Sequence, residues 1–417
     1  MNRKQDVQEK LFEAALGIEA PWFVNAVQFD AAAKVLTIEI DFKSGSRFAV
    51  PGQAGQHPLH DTVSKQYRHL NFFQHECYLK VRVPRVKLPD GSVRQVPPGF
   101  EGKLSGFTLL FEALVLLLAQ QMPFAAVARL AGISAHRVTA VCSRYVELAL
   151  ASADFSEVTA LAIDETSRAR GHNYITLAAD ANERRVLCVT EGREAAAIKE
   201  IAAQLQAHGC TPEQIDSVSI DMSPAYIKGC AEHLPEARIT FDKFHVVQHA
   251  NAAVDKMRRI EQRSDKSLKG LRWTLLKDRA SLKPEAAANL DALIDKITRV
   301  RTARAWAYKE QLREILERKQ INVVRAMLTR WCTCVMRSKV EPMKEVAAMV
   351  RRHLEGIVAW AQTRQTNGFL EALNGLFQAA KRRARGFGRF STIRVVIFLI
   401  AGKLDFSAIN PHAGQPT

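Results

Sequence analysis

Residues 157–241 constrain the fold more than any other part of the chain, because strand-like and helical patterns alternate there in a fixed order. Short apolar runs predict strands, and a longer amphipathic run predicts a helix. The predicted elements are strands at 158–163, 174–179, 185–190, 215–220 and 237–241, with helices at 194–208 and from about 224. A turn at 180–183 joins the second strand to the third. Three strands in a meander, followed by helix, strand, helix and strand, predict a mixed α/β domain.

This order of elements matches a ribonuclease H-like core, and the rest of the chain is predicted to form modules around it. The first hundred residues predict a small β-rich module that begins with a short helix. A long, charged helical pattern with almost no strand signal follows the last core strand. The predicted fold is therefore multidomain α/β, with a β-rich module at 1–100, a helical region at 101–153, the first part of the core at 154–245, a helical insertion at 246–362, and a final catalytic helix with a basic C-terminal region at 363–417.

Two aspartates end predicted strands of the core, and one glutamate lies on the predicted final helix. Asp164 ends the first strand and Asp221 the fourth, and these two strands are neighbours in this fold. Glu371 completes a set of three carboxylates. Hard cations such as Mg²⁺ prefer oxygen ligands, and two such ions can activate the attacking oxygen and stabilise the leaving one in phosphoryl transfer. The three are therefore candidate catalytic and metal-binding residues, with Asp242 and His245 as accessory candidates beside them.

Each of these carboxylates also has a structural interpretation. A single aspartate at the end of a strand is often a turn or cap residue, and Glu371 could pair with nearby Arg364. Glu165 competes with Asp164, but neighbours along a strand point to opposite faces. The joint occurrence of all three carboxylates in the order that the fold requires favours the metal-binding interpretation.

The chain carries a large excess of positive charge, with a net charge of +16 and a pI near 9.7. Such an excess favours a polyanionic partner, most simply nucleic acid, because neutralised phosphates release their condensed counterions. The charge is clustered, since residues 363–403 contain eight Lys or Arg and a single acid, Glu371. The residues expected to grip backbone phosphates are Lys381, Arg382, Arg383, Arg385 and Arg389.

Residues 123–138 have the pattern of a helix-turn-helix. An alanine-rich helix ends at Gly132, which suits a left-handed cap, and Ser134 is placed to cap the next helix. The alternative is an ordinary helical hairpin in which Ile133 and Val138 are core residues. The side chains that the second helix would present to DNA are His136, Arg137, Thr139 and Arg144.

The cysteines and the apolar runs indicate a cellular setting. Seven scattered cysteines, of which only Cys332 and Cys334 lie close together, indicate a reduced, cytosolic protein. The N-terminus lacks the apolar core of a signal peptide. The longest apolar runs, near 107–119 and 395–401, are too short to span a bilayer. A cytoplasmic location without a membrane partner is expected.

Several motifs of this chain occur together in one known family. They are Ala162-Ile163-Asp164-Glu165-Thr166 with Arg170-Gly171-His172, the stretches 220–226 and 242–245, and the C-terminal stretches 367–374 and 381–387. Together they resemble the ISL-three group of bacterial insertion-sequence transposases, over nearly the whole chain from about residue 67 to 390. The resemblance implies a DDE transposase with Asp164, Asp221 and Glu371 as the metal-binding triad. It also implies an N-terminal zinc-binding module, a helix-turn-helix and a helical insertion in the core.

The N-terminal module departs from the family pattern at its zinc ligands. Many members carry a CPxC pair before a histidine-rich stretch and a second pair further on, whereas the matching positions here are 50–53 (Val-Pro-Gly-Gln) and 88–91 (Leu-Pro-Asp-Gly). The thiolates of a tetrahedral zinc site are therefore missing. The spacing of the remaining histidines does not replace them: His57, His60, His69 and His75. No structural zinc is expected, and the module is interpreted as degenerate zinc-ribbon-like.

The resemblance implies a transposase that binds the terminal inverted repeats of its own mobile element as double-stranded DNA. It would hydrolyse the phosphodiester at each end and direct the freed 3′ hydroxyl onto target DNA, with two Mg²⁺ ions per site or Mn²⁺ in their place. Cleavage at two ends implies a homodimer on DNA, associated with the bacterial nucleoid. Two alternatives stay open: a catalytically inactive relative acting as a repressor or architectural DNA-binding protein, and a nuclease of the same fold without strand transfer.

Overall fold

The computed structural model describes residues 3–169, 173–277, 279–297, 299–365 and 367–407. These residues form two compact units. The first unit contains the described residues up to 152, residues 380–400 and those from 404 onward, and the second contains 153–379 with 401–403. The five parts predicted from the sequence thus fold as two units, and their finer boundaries stay predictions.

A six-stranded sheet forms the β-rich part of the first unit. Its strands are β1 (Trp22–Asp30), β2 (Val35–Phe42), β3 (Arg47–Ala49), β4 (Gln56–Phe72), β5 (His75–Lys87) and β6 (Val93–Gln95), and helix α1 (Arg3–Leu16) packs on β1. The order is β1-β2-β5-β4-β3, with β6 also paired to β5. The strands β2 and β5 pair in parallel and the other pairs are antiparallel. Alternate residues of β2, including Leu36, Ile38 and Ile40, are buried, so the period-two pattern places one face of the sheet in the core.

Three helices follow the sheet in the first unit: α2 (Leu109–Gln121), α3 (Phe124–Ala131) and α4 (Ala135–Ala151). Gly132 ends α3 with a φ of 68°, the left-handed conformation that glycine adopts without strain. Ser134 Oγ accepts a hydrogen bond from the backbone N–H of Arg137 (3.3 Å) and so caps α4. Both predicted caps are confirmed. Val138 is fully buried, so the second helix also contributes to the core of this unit.

A buried guanidinium joins the sheet of the first unit to its helices. Arg68 on β4 is 6% exposed, and it donates to the backbone oxygens of His69 (2.6 Å) and Cys77 (3.2 Å). It also donates to Asn71 Oδ1 (2.6 Å), and its guanidinium carbon lies 5.2 Å from the ring centre of Phe111 on α2. Burying a cation is unfavourable unless hydrogen bonds replace its water, and these acceptors supply them. The β-rich module and the three helices therefore share one compact unit.

A five-stranded mixed sheet is the centre of the second unit. Its strands are β7 (Ala160–Ala169), β8 (Asn173–Asp180), β9 (Arg185–Glu191), β10 (Ser217–Ile220) and β11 (Arg238–Phe241). Their order is β11-β10-β7-β8-β9. The pairs β7–β8 and β8–β9 are antiparallel, whereas β10 pairs in parallel with both β7 and β11. The predicted order of elements is confirmed, and the sheet is consistent with a ribonuclease H-like core.

The first core strand is longer than predicted. The strand β7 continues to Ala169, and Asp164 pairs with Leu177 of β8 in the middle of the ladder, so Asp164 does not end the strand. Residues 165–168 are polar and carry no apolar pattern. A pattern of apolar residues reports burial and not backbone pairing, which explains why the sequence placed the end of the strand too early.

Helices surround this sheet and extend beyond it. They are α5 (Ala195–Ala207), α6 (Pro224–His233), α7 (Lys243–Glu261), α8 (Arg272–Leu276), α9 (Pro284–Ile294), α10 (Arg301–Glu317), α11 (Ile321–Met336), α12 (Glu341–Arg352) and α13 (Leu354–Thr363). The helix α5 packs on β9 and α6, and α13 packs on β11. The predicted insertion is helical where it is described, but α7 starts at Lys243, so the predicted boundary at 246 falls inside a helix. Buried apolar residues of the sheet and of these helices form one continuous core.

Two further helices, α14 (Gly368–Arg383) and α15 (Phe390–Ala401), lie near the C-terminus. The division between the two units falls within α14, so its first turns belong to the second unit and its last turn to the first. None of the helices in the described ranges has both the length and the apolar character needed to cross a membrane.

Close packing of α6 against α5 requires a glycine at position 229. A Cβ atom at Gly229 would lie 2.7 Å from Ile198 Cγ1 and 2.9 Å from Ile198 Cβ. The substitution Gly229→Ala is expected to destabilise the protein by about 1–3 kcal/mol, because the two helices must separate. Gly375 on α14 has no atom within 4 Å of an added Cβ, so Gly375→Ala is expected to be neutral or to stabilise by about 0.5–1 kcal/mol. Urea unfolding of both variants measures this, and equal stability would contradict the close approach.

Candidate active site

Two aspartates belong to neighbouring strands of the second unit, with Asp164 inside β7 and Asp221 directly after the end of β10. The strands β7 and β10 pair in parallel, with Ser219 opposite Ala162. Continuing this register by two residues places Asp221 beside Asp164. Asp221 Oδ1 accepts a hydrogen bond from the backbone N–H of Ser223 (2.9 Å), just before α6 begins. The topology therefore brings together two predicted site residues that are distant in sequence.

The electrostatic environment of Asp164 disfavours its charged form. Burial raises the pKa of Asp164 to about 6, and the charges of Asp221 and Glu165 act in the same direction. The backbone N–H of Glu165 (2.8 Å to Asp164 Oδ1) and the imidazole of His245 lower this pKa in part. A cation bound here would offset both the burial and the repulsion between the two aspartates. The pair is therefore suited to bind positive charge.

One polar face of α14 runs along β7. The residues at helical spacing along this face are Asn367, which directly precedes the helix, and Glu371, Asn374 and Gln378 within it. Asn374 Nδ2 donates a hydrogen bond to Asp164 Oδ2 (2.9 Å). Asn367 Nδ2 donates to the backbone oxygen of Ile163 (3.2 Å), and Gln378 Nε2 donates to a backbone oxygen further along β7 (3.0 Å). Three amides therefore hold α14 in register with the strand that carries Asp164.

The third predicted carboxylate lies beside the accessory residues. Glu371 is in the first turn of α14, and among the described residues its buried Oε1 has no hydrogen-bond partner. Burial raises the pKa of Glu371, the charge of Asp242 raises it further, and His245 lowers it. Glu371 is thus coupled to Asp242 and His245, as Asp164 is coupled to Asp221 and His245. The imidazole of His245 is the group that both carboxylates share.

Asp242 connects two helices of the site. It is 2% exposed, and its carboxylate accepts hydrogen bonds from the backbone N–H groups of Phe244 (2.8 Å) and Asn367 (2.6 Å). The first bond caps α7, and the second ties that helix to the start of α14. His245 is in the first turn of α7, and its Nε2 is buried without a partner in the described part of the chain. Asp242 therefore positions the helix that carries Glu371.

The donor atoms of this site suit a hard divalent cation, although they do not form a complete set of ligands around one point. Across the described ranges, no group of three or more His, Cys, Asp or Glu side chains is arranged so that it could hold a metal ion. Asp164 and Asp221 supply oxygen ligands of the kind that Mg²⁺ prefers. The unpaired Glu371 Oε1 and Asn374 Oδ1 are further buried oxygens without a partner among the described residues. The donor set therefore fits an ion held first by the aspartate pair.

Sequence reasoning missed the amides of α14. The signal that could have found them is the recurrence of polar residues at helical spacing on a helix whose other face, with Leu370, Leu373 and Phe377, is buried. The expected alternative of a Glu371–Arg364 ion pair is not observed. Arg364 donates instead to backbone oxygens at the end of α10 and just after it. The motif residues Arg170, Gly171, His172 lie outside the described residues.

The predicted DNA-binding residues of α4 are not equally available. His136 and Arg144 are exposed. Arg137 Nη2 donates to the backbone oxygen of Ser105 (2.6 Å), and its guanidinium carbon lies 3.8 Å from the ring centre of Phe107. These contacts give Arg137 a structural role within the first unit.

The remaining predicted DNA-binding residues also differ in exposure. Thr139 Oγ1 donates to a backbone oxygen of its own helix (2.9 Å), and Lys381 is half-buried. The exposed members of the basic stretch are Arg382, Arg383, Arg385 and Arg389. These four guanidinium groups belong to the first unit, which also contains α4.

Two family profiles match the chain. One, described as "Transposase", matches residues 161–397, which include the five core strands except the first residue of β7, the helical region and α14. The other, described as "Helix-turn-helix domain of transposase family ISL3", matches residues 102–146, which include α2, α3 and most of α4. By class, the protein is a transposase.

Two curated relatives match along most of their length. The transposase for insertion sequence element IS1001 of Bordetella parapertussis is 25% identical over 364 residues, which cover 84% of this chain and 88% of the relative. The transposase for insertion sequence element IS1557 of Mycobacterium tuberculosis is 26% identical over 413 residues, which cover 91% of this chain and 92% of the relative. The chain belongs to the ISL3 family of insertion-sequence transposases, enzymes that act on DNA and generally use divalent metal ions.

The raised pKa of Asp164 predicts a pH-dependent stability. Because this pKa is about 6 in the folded protein and 3.8 ordinarily, the folded state binds more protons between these values and loses stability as pH rises through 6. In metal-free buffer, Asp164→Asn is expected to raise the free energy of unfolding at pH 7.5 by on the order of 1–2 kcal/mol, with no gain at pH 4.

An opposite result is expected at Asp154, whose pKa is lowered by hydrogen bonds from Ser156. Asp154→Asn removes a favourable charged form, so it is expected to lower stability at pH 7.5. Thermal unfolding of both variants at the two pH values measures the contrast. A loss of stability for Asp164→Asn at neutral pH would show that Asp164 is not under electrostatic strain.

Proposed function

We propose that the chain binds the terminal inverted repeats of its insertion sequence and carries out metal-dependent DNA cleavage and strand transfer. The observation that supports this most strongly is the pairing of β7, which carries Asp164, with β10, which leads into Asp221, while Asn374 holds α14 against Asp164. The helix-turn-helix of the other unit supplies a means of reading DNA. Together these features support an enzyme that recognises DNA with one unit and reacts with it in the other.

We assign Asp164, Asp221 and Glu371 as ligands of two Mg²⁺ ions per active site, with Mn²⁺ as a substitute. When bound, such ions would lower the pKa of the attacking water and offset charge on the reacting phosphate. The residues of the chain keep the two aspartates adjacent and hold Asp164 in one orientation through Asn374. They also supply Glu371, whose Oε1 has no protein partner in the described structure and would turn toward the aspartate pair.

The reaction consists of two phosphoryl transfers. In the first, a water oxygen bonds to phosphorus at the end of the element and the bond from phosphorus to the 3′ oxygen breaks, which leaves a 3′ hydroxyl on the element. In the second, that hydroxyl bonds to a phosphorus of target DNA and displaces the target 3′ oxygen. Both ends of the element must react, so we propose a homodimer on DNA, associated with the bacterial nucleoid.

Recognition of the repeat is assigned to α4 and to the basic stretch of the same unit. His136, Thr139 and Arg144 are proposed to face base edges in the major groove, where donor and acceptor patterns differ between base pairs. The exposed arginines between 382 and 389 are proposed to contact backbone phosphates, which supply affinity with little sequence information.

Cleavage of a labelled terminal-repeat duplex in Mg²⁺ or Mn²⁺ tests the catalytic assignment. Glu371→Gln and Asp164→Asn are each expected to lower the cleavage rate by roughly a hundredfold or more while DNA binding is retained, because each removes one metal-binding charge. Glu165→Gln is the matched control, since this neighbouring carboxylate points to the other face of β7 and pairs with Arg193 (3.4 Å). It is expected to keep cleavage within a few-fold of the wild type.

Three outcomes would change this assignment. Binding without cleavage by the wild type in either metal would favour the inactive DNA-binding relative. Unchanged cleavage by Glu371→Gln would show that the third ligand is another residue, with Asp242 tested next. Release of cut ends that never join a target would indicate a nuclease.

Binding of the repeat distinguishes two arginines of α4. Arg144→Ala is expected to weaken binding to the repeat by about 1–3 kcal/mol, with little effect on a scrambled duplex and none on stability. Arg137→Ala is expected to lower thermal stability instead, because it removes the contacts with Ser105 and Phe107. Fluorescence anisotropy with both duplexes, beside thermal unfolding, measures the difference. An equal loss on both duplexes for Arg144→Ala would identify a phosphate contact and not a base contact.

A further inference from the structure

Trp273 of α8 is a large apolar side chain that faces solvent. It is 63% exposed, whereas Trp306, Trp331 and Trp360 are 9%, 3% and 3% exposed. Indole is among the most favourable groups to bury, and it binds its partners through a flat aromatic face. An exposed indole on a folded segment is therefore available to a partner, and the charges near it in the chain indicate which kind of partner fits.

The segment that carries Trp273 is firmly anchored. Leu268 and Leu275 on either side of it are 0% and 1% exposed and belong to the core of the second unit. Lys309 of α10 is 1% exposed, and its Nζ donates to the backbone oxygen of Leu275 (2.7 Å). A buried ammonium is unfavourable unless it is hydrogen-bonded, so this contact fixes the segment at the end of α8. The indole is exposed although Leu268 and Leu275 of the same segment are packed.

The charges around Trp273 are mostly positive. Between 263 and 279 the sequence contains six basic and two acidic residues. The exposed basic members are Arg263, Lys266, Lys269, Arg272, Lys277 and Arg279. The guanidinium carbon of Arg272 lies 5.1 Å from the centre of the Trp273 ring. Two of these cations are partly neutralised, since Arg279 pairs with Asp291 (2.7 Å) and Arg272 lies 3.7 Å from Asp255.

We propose that Trp273 and its flanking cations form a binding site for an unpaired nucleotide of DNA. The base stacks on the indole, and the adjoining phosphates lie against Lys269 and Lys277. Stacking on an aromatic face inside a basic surface is the general means of binding single-stranded nucleic acid, because every base has a π-face. This inference rests on the proposed function, since DNA opened at a cleaved end supplies unpaired nucleotides.

The composition of the surface favours DNA over a second protein chain. Lysines are depleted at the centres of protein–protein interfaces, where aromatic residues are enriched. Here the segment that carries the exposed indole also carries three exposed lysines, Lys266, Lys269 and Lys277. Bringing these ammonium groups into a dry protein interface is unfavourable, whereas phosphates neutralise them without removing all their water.

Binding of a single-stranded oligothymidylate of about 12 nucleotides tests the site directly. The full-length, metal-free protein is titrated while its tryptophan fluorescence and the anisotropy of the labelled oligonucleotide are followed. Quenching is expected in the wild type, because Trp273 is exposed, whereas Trp22 is half-buried and Trp306, Trp331 and Trp360 are buried. In Trp273→Ala the affinity is expected to fall about tenfold to a hundredfold and the quenching to disappear, since base stacking contributes about 1–3 kcal/mol.

The control variants separate stacking from loss of structure. Trp273→Phe keeps an aromatic face and is expected to stay within a few-fold of the wild-type affinity. Val323→Ala removes an exposed apolar side chain (39%) from α11 and is expected to have no effect. Lys269→Gln and Lys277→Gln are each expected to reduce the dependence of binding on salt. Equal affinity of the wild type and Trp273→Ala for the oligonucleotide would overturn the proposal.

Two further measurements distinguish the occupant of the site and the source of a failure. If the mass of the wild type in light scattering rises with concentration and that of Trp273→Ala does not, with oligonucleotide affinity unchanged, the occupant is a second copy of the chain and the DNA assignment is overturned. Because the titration contains no metal, a failure of the catalytic assignment leaves it unaffected. If Trp273→Ala still binds the repeat duplex but no longer binds the single strand, the result would support the site.

Discussion

Two carboxylates at neighbouring parallel strands, Asp164 inside β7 and Asp221 just after β10, repel each other, and several contacts of the second unit offset that repulsion. The register of β7 and β10 fixes Asp164 beside Asp221, and burial makes the charge of Asp164 still less favourable. The backbone N–H of Glu165, the amide of Asn374 and the imidazole of His245 offset part of this cost. Because these contacts do not fully neutralise the two carboxylates, the aspartate pair still attracts cations. That attraction is what a metal-dependent phosphoryl transfer requires.

The sequence predicted the parts of the site that follow from local patterns. Each core strand carries its own apolar run, so the order of strands and helices could be predicted from short windows. The proximity of Asp164 and Asp221 followed from that order, because neighbouring strands bring their residues together. The predicted end of β7 was wrong. The polar residues 165–168 extend the strand because they pair with β8, and a pattern of burial does not reveal this pairing.

The contacts of α14 could not be predicted in the same way. Asn374 meets Asp164 across 210 residues of sequence, and Asn367 meets Ile163 across 204. An amide side chain can pair with any backbone or carboxylate oxygen, so its identity does not specify a distant partner.

The roles of individual arginines could not be predicted for a similar reason. Arg68, Arg137 and Arg364 look in sequence like surface cations, yet each donates hydrogen bonds to backbone oxygens within its own unit.

The positive charge of the chain therefore divides into cations that stabilise the fold and cations that remain exposed. The exposed arginines near the end of α14 and the exposed lysines between 266 and 277 are of the second kind, and they are the ones proposed to bind DNA. A helix-turn-helix recognises the edges of paired bases in a groove of the duplex, so separation of the strands does not increase its affinity. An indole can stack only on a base that has left its neighbour. If both surfaces bind DNA, the first selects the end of the element, whereas the second stabilises a strand that separates from its complement near that end.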